Sequence, residues 1–344
     1  MLNITERTKI FVYCPAGVVT GGAELLHQLV DLLNRNHLNA FIVYYGSGIP
    51  NIPDAYKDYN IKMALLVEDL NDNVVVFYEA VFDRLKSVNR AQILLWWLSV
   101  DNFFLFGGEH LKLSDIVRFD FFFGFKVFSY RLYQLIFRRK NLFKNLISIK
   151  WLSEIDAINA YQSEYAQNFL INNAFKLTVP LSDYINTDFY SGSPLIKSSN
   201  TILYNPKKGL EFTEKIIKRL PDYEWIPLQN MSREQLVKVF AESKLYIDFG
   251  YHPGKDRLPR EAALNGCCVI TGIKGSARYF EDVPIINKYK FEQSDSSVDS
   301  IIQMINTLMA DYESHTKDFD FYRAQILREK NQFESQAKLI FNIK

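Results

Sequence analysis

Between Asp248 and Tyr279 the sequence gathers side chains that could handle a phosphorylated ligand: DFGYHPGKDRLPREAALNGCCVITGIKGSARY. His252, Lys255, Asp256 and Arg257 fall within six positions directly after an apolar run, Leu245-Tyr-Ile-Asp-Phe. A helix is expected from Pro259, with Glu261 in its first turn and Gly266 at its end, followed by a strand over Cys267–Thr271 and a glycine loop at Gly275 and Ser276. Proline near the start and glycine past the end is the usual asymmetry of a helix. In open α/β sheets, ligands bind beyond the carboxyl ends of the strands, where helix N-termini favour anions. The segment therefore reads as half of a pocket for a phosphorylated ligand, with an ordinary surface loop as the alternative.

Two other stretches fit the same chemistry. Pro15-Ala-Gly-Val-Val-Thr-Gly21-Gly22-Ala23-Glu24 follows the first apolar run and places two glycines where a helix begins. Glycine lets backbone approach a ligand closely. The spacing matches neither the dinucleotide fingerprint nor the P-loop. Tyr204-Asn205-Pro-Lys207-Lys208-Gly209 again joins a strand to a helix, here with two cations.

The elements that must position these residues alternate. Strands are expected at 10–14, 40–45, 63–67, 74–78 and 93–97, and in a second series at 201–204, 225–228, 245–249 and 267–271. Helical spacing occurs at Ala23–Leu33, at Leu210–Leu220 and after Ser232, and again beyond Ser296. Continuous apolar strands alternating with helices imply parallel sheets buried on both faces. The polar stretch 183–197 lacks periodicity and reads as a linker. The expected organisation is a domain over 1–182, a second over 198–316, and a final helix, 317–344, returning to the first.

The GGAE helix start, the NPKKG loop and PREAALNGCCVITGIKGSA together resemble a GT-B glycosyltransferase, most closely the retaining family-four group with its E-x7-E element. The resemblance covers most of the chain except about 103–150. It implies an α/β fold of two Rossmann-like domains facing across a cleft. It also implies transfer of a sugar from a nucleotide-diphosphate donor to a glycan or lipid-linked acceptor in bacterial surface polysaccharide synthesis. By position, the matches for donor binding are Gly21, Gly22, Lys207, Lys208, Glu261, Gly275 and Ser276, with Glu261 on the ribose and the lysines on the diphosphate; Asn205, His252 and Arg257 are further donor-binding candidates offered by the same loops. The first glutamate of the element is replaced by Pro253. The family's histidine is also absent. Trp96-Trp-Leu-Ser99-Val-Asp101 stands there instead, so Asp101 becomes the candidate proton acceptor, with Lys255 as a second candidate catalytic residue. A carboxylate in that place can act as a general base or cap a helix. Asp318-Phe-Asp320 imitates a metal-binding DxD but lies in a helical stretch, and the two lysines and helix termini supply the positive charge, so neither a metal nor a cofactor is expected. A nucleotide-sugar epimerase of the same fold, or a non-catalytic scaffold of a polysaccharide assembly complex, would share these features.

Composition agrees with a two-domain protein. The 344 residues carry a net charge of +1, which at whole-chain level gives no footprint for nucleic acid. Cys14, Cys267 and Cys268 lie in apolar runs without metal or disulfide spacing, which suits a cytoplasmic, reducing setting. The N-terminus does not read as a signal peptide, and no run of 18 apolar residues occurs. Between Asp120 and Glu154 there is no acidic residue, while Lys and Arg interleave with Phe and Tyr. Residues 121–150 are therefore expected to meet an anionic membrane surface peripherally. A helical hairpin packed on the domain and a single-stranded nucleic-acid surface are the alternatives.

Overall fold

The computed structural model describes residues 1–46, 50–106, 125, 129, 133, 147–186, 190, 197 and 200–343. The chain forms two compact units, residues 1–183 with 332–344, and residues 184–331.

The first unit is built on a parallel sheet of seven strands: β1 Lys9–Pro15, β2 Asn39–Tyr45, β3 Lys62–Met63, β4 Val74–Tyr78, β5 Gln92–Trp97, β6 Ile158–Tyr161 and β7 Thr178–Pro180. Their spatial order is β3-β2-β1-β4-β5-β6-β7. The chain winds outward from β1 in one direction and from β4 in the other, so the crevice between β1 and β4 is the topological switch point. The helix α1, Gly21–Arg35, follows β1. Thr20 caps it by accepting from the Ala23 N–H, and Leu25, Leu26, Leu29, Val30 and Leu33 are all buried. Among the described residues three shorter helices follow: α2 Val100–Phe106, α3 Ile149–Glu154 and α4 Glu164–Asn172.

Two strand expectations change here. The run 63–67 is not an interior strand. Only Lys62 and Met63 pair, at the sheet edge, and Leu65 and Leu66 are 85% and 79% exposed. Conversely, β6 and β7 were not anticipated, because β6 is short and interrupted by Asn159. That side chain is buried in the core, accepting from Trp97 Nε1 and donating to the Lys176 carbonyl.

The second unit holds β8 Thr201–Tyr204, β9 Glu224–Pro227, β10 Leu245–Asp248, β11 Cys268–Gly272 and β12 Lys290–Phe291 in the order β12-β11-β10-β8-β9, all parallel. Its switch point lies between β8 and β10. The helices are α5 Leu210–Ile217, α6 Arg233–Glu242, α7 Arg257–Leu264, α8 Val298–Ala310, α9 Tyr312–His315 and α10 Asp320–Ile340. Ser232 and Gln235 close a reciprocal capping box on α6. All three cysteines are buried and free.

The ends of the second unit differ from the expected boundaries. Lys197, read as linker, donates to the carbonyls of Phe240 and Asn265 at 2.9 and 2.6 Å, where α6 and α7 end. The last helix, expected to return whole, is shared between the units. Its Glu329 binds Arg260 and Lys255, whereas its Phe333 stacks on Trp96 and its Gln336 accepts from the Ser182 N–H. Among the described residues, no helix is long and apolar enough to cross a membrane. The aromatic-basic segment 121–150 lies almost wholly outside the described residues. Of those that are described, Phe125 and Tyr133 are exposed.

Candidate active site

The carboxyl ends of β8 and β10 bring two loops together at the switch point of the second sheet. β10 ends in Asp248, which is fully buried. Tyr246 Oη and the Gly250 N–H donate to its two oxygens at 2.8 Å each, and Asn205 Nδ2 reaches Oδ2 at 3.4 Å. Burial alone pushes the Asp248 carboxyl up, but His252, Lys208 and Tyr246 beside it outweigh that and hold the acid well below the usual carboxylate range. The loop after β8 is shaped by Asn205, whose Oδ1 accepts from the Lys207 N–H at 3.0 Å. It closes at Gly209, which takes φ +61° as the N-cap of α5, and a Cβ there would lie 2.4 Å from the Phe249 carbonyl oxygen. Only glycine combines that torsion with so close a passage of backbone.

A cavity of about 380 Å³ opens in front of these loops. Polar and charged walls come from Asn205, Lys207, Lys208, Gln229, Asn230, Asp256 and Arg257, and apolar walls from Leu228, Met231, Leu236 and Leu258. Asp256 is the N-cap of α7, yet its side chain makes no capping bond. A capping side chain accepts from the second or third helical N–H, and the third residue of α7 is Pro259, which has none. The Asp256 carboxylate instead pairs with the Lys208 ammonium and faces His252 Nδ1 at 3.7 Å. His252 Nε2 lies 3.6 Å from Asp248 Oδ1. His252 is completely buried, and neither ring nitrogen has a hydrogen-bond partner among the described residues. Asp248, His252 and Asp256 bring one donor atom each within 4.8 Å of the others, a spacing that suits a cation, and the cation at this cluster is the Lys208 ammonium.

The expected donor-site residues divide into two groups. Asn205, Lys207, Lys208 and Arg257 line the cavity. Gly275 and Ser276 do not, because they brace the loop behind it. Gly275 has φ +64°, with the His252 carbonyl 2.0 Å from where a Cβ would stand, and the Ser276 N–H and Oγ donate to the carbonyls of His252 and Gly254. Glu261 is buried in the second turn of α7 rather than in its first, since the helix begins at Arg257. The helix dipole therefore does little for its charge. Its Oε1 lies 3.5 Å from Arg257 Nε. Lys255, expected as a catalytic residue, is held at 2.7 Å by Glu329, which also binds the fully buried Arg260 at 2.8 Å. An ammonium clamped between a loop and α10 fixes the loop's position and is poorly placed to act as an acid or base.

The first sheet carries the remaining candidates at its own carboxyl ends. Gly21 and Gly22 open α1, with Gly22 exposed. Asp101 stands in the first turn of α2, buried, and accepts from Tyr165 Oη at 3.0 Å. The buried Ser99 Oγ has no hydrogen-bond partner among the described residues. Glu79, at the end of β4, was not singled out from sequence. Its carboxylate accepts from the Leu98 N–H at 2.9 Å and from Asn102 Nδ2 at 3.4 Å, and so ties β4 to the turn that presents Ser99 and Asp101. Burial pushes this carboxyl up to about 7, with the backbone groups of Leu98 and Ser99 pulling the other way. The signal lay in an acid placed directly after the apolar run Val74–Tyr78. Asp318 and Asp320 are structural. Asp318 is held by Lys288 and Tyr289, and Asp320 by Arg323.

No family model matches the sequence. No curated protein matches it either. Solved structures do match the fold. Sucrose-phosphate synthase from Thermosynechococcus elongatus superposes with a TM-score of 0.62 at 11% identity, covering 98% of each chain. Anabaena HepE, in complex with UDP-glucose, gives 0.59 at 11% identity, covering 97% of this chain and 99% of its own. WaaG, a glycosyltransferase involved in lipopolysaccharide biosynthesis, gives 0.56 at 10% identity, covering 97% and 99%. The fold is GT-B.

Proposed function

We propose that this chain is a glycosyltransferase that binds a nucleotide-diphosphate sugar in its second unit and passes the sugar to a glycan or lipid-linked acceptor. The observation that carries the reading is one cavity, at the switch point of the second sheet, lined by Lys207, Lys208 and Arg257 beside the N-terminus of a helix whose N-cap side chain does not cap it. Such a site suits a diphosphate. In the transfer, a bond forms between the acceptor oxygen and the anomeric carbon as the bond to the diphosphate breaks. Negative charge grows on the leaving diphosphate, where fixed cations stabilise it more than in the ground state. Lys207 and Lys208 are assigned to that charge and Glu261, next to Arg257, to the ribose. His252 acts from behind the cavity wall. Asp101 is assigned to the acceptor hydroxyl's proton, with Gly21 and Gly22 offering backbone N–H groups to the phosphates. Retention of configuration, independence from metal ions, a role in bacterial surface polysaccharide and kinship with the family-four group belong to the same proposal, supported by the motifs quoted above. So does peripheral attachment to an anionic membrane through 121–150, which liposome flotation tests through loss of binding at high salt.

The deciding experiment is a thermal-shift panel of UDP-, ADP-, GDP- and dTDP-sugars, followed by product analysis with and without an acceptor. A bound donor stabilises the fold by mass action. A melting shift with one donor, and a glycoside formed only when acceptor is present, is the expected result. Sugar inversion without acceptor would replace the reading with an epimerase, and no shift with any donor would replace it with a scaffold.

A further inference from the structure

Lys208 is not presented to the cavity as a free cation. Its ammonium rests on Asp256, and Asp256 lines the same cavity. A diphosphate that takes Lys208 must therefore displace a carboxylate of like charge. That carboxylate makes no capping bond, and Pro259 at the third position of α7 removes one of the two N–H groups that a cap could use. Beside it stands His252, whose Nδ1 is 3.7 Å away. The charged and titratable groups facing His252 are Asp248 and Tyr246 on β10, Asp256 at the start of α7 and Lys208 on the loop after β8. The turn at Gly275 packs against it through backbone, with the His252 carbonyl accepting from the Ser276 N–H. With His252 neutral, the two aspartates and one lysine leave this partly buried group with a net negative charge, which is the wrong sign for receiving an anion.

We propose that Asp256 is a positioning residue that holds Lys208 where a phosphate will bind, and that His252 takes up a proton and receives the Asp256 carboxylate when a nucleoside diphosphate takes its place. The inference rests on the reading of the cavity as a nucleotide site and adds to it a linkage: binding of the diphosphate is coupled to binding of one proton, drawn from solvent. The imidazolium so formed sits between two carboxylates, Asp248 and Asp256, and restores the charge balance that the incoming phosphates disturb.

Calorimetric titration of UDP into the full chain, in buffers of different ionisation enthalpy at one pH, counts the protons exchanged. The count for wild type should exceed that for His252→Gln by a number approaching one, whatever protons the phosphate itself exchanges, since that contribution is common to both. Asp256→Asn should bind UDP roughly tenfold more tightly near neutral pH and lose most of the pH dependence of its affinity. Equal counts in wild type and His252→Gln overturn the proposal. So does an Asp256→Asn protein, folded by circular dichroism, that binds UDP more weakly. The absence of binding heat with UDP, ADP, GDP and dTDP alike would instead overturn the nucleotide reading and this proposal with it.

Discussion

Lys207 and Lys208 are adjacent in sequence and line the same cavity, yet they are held differently. Lys208 is held by Asp256, while Lys207 has no ion pair among the described residues. Lys207→Ala should therefore weaken UDP binding about tenfold while leaving uridine binding unchanged, which comparative calorimetry reads directly. Asp248 is the residue on which the loops depend. It takes hydrogen bonds from Tyr246, Gly250 and Asn205 while buried, so Asp248→Asn, with one acceptor oxygen in place of two, leaves buried donors unpaired and should cost about 3 kcal/mol at neutral pH. The sign with pH follows from its lowered pKa. A carboxylate held below its unfolded value contributes stability above that value and loses it on acidification. Denaturant melts should show the gap between wild type and variant narrowing as pH falls below about 4.

At the scale of elements, Glu79 joins β4 to the start of α2 through Leu98 and Asn102 and so fixes the turn that carries Asp101. Its carboxyl is raised by burial to about 7, so between roughly 4.5 and 7 the folded state holds a proton that the unfolded chain releases. Stability must then fall as pH rises through that window. Glu79→Gln keeps an acceptor oxygen and cannot ionise. Relative to wild type it should gain up to about 3 kcal/mol on going from pH 4.5 to 7.5, measured by chemical denaturation across the range. The packing of the loop after β8 against the end of β10 depends on a glycine in the same way that the α2 turn depends on an acid. Gly209→Ala places a Cβ 2.4 Å from the Phe249 oxygen at a left-handed torsion, so it should cost about 2 kcal/mol or more and lower UDP affinity by opening the lysine loop.

The whole molecule has two cores, and the cavity assigned to the nucleotide is lined by residues of only one of them. A ligand at one hundred times its dissociation constant stabilises what it binds by about 2.7 kcal/mol. Hydrogen exchange with saturating UDP should therefore slow first in 205–209 and 248–258, with any change in the first unit confined to the turn around Gly21 and Gly22. Uniform protection of both sheets, or protection centred on the first, would move the nucleotide site out of the cavity.

The strands β1, β2, β4 and β5, the second series from β8 to β11, and the placement of Lys207, Lys208 and Arg257 beside a helix start were all legible in the residue pattern, because apolar runs and loop chemistry are local properties. Helix α7 was placed two residues late, since Pro259 was read as its opening residue when it is the third. What the side chains do was decided by folding. Glu329 and Lys255 are 74 residues apart in sequence, and only the packing of α10 against the His252 loop makes them an ion pair. The bracing of that loop by Gly275 and Ser276, the burial of Glu79 beneath the α2 turn, and the diversion of Asp256 from its helix to Lys208 are contacts between distant segments. A residue's type fixes which bonds it can make. Which bonds it does make depends on neighbours that only the closed sheets bring within reach.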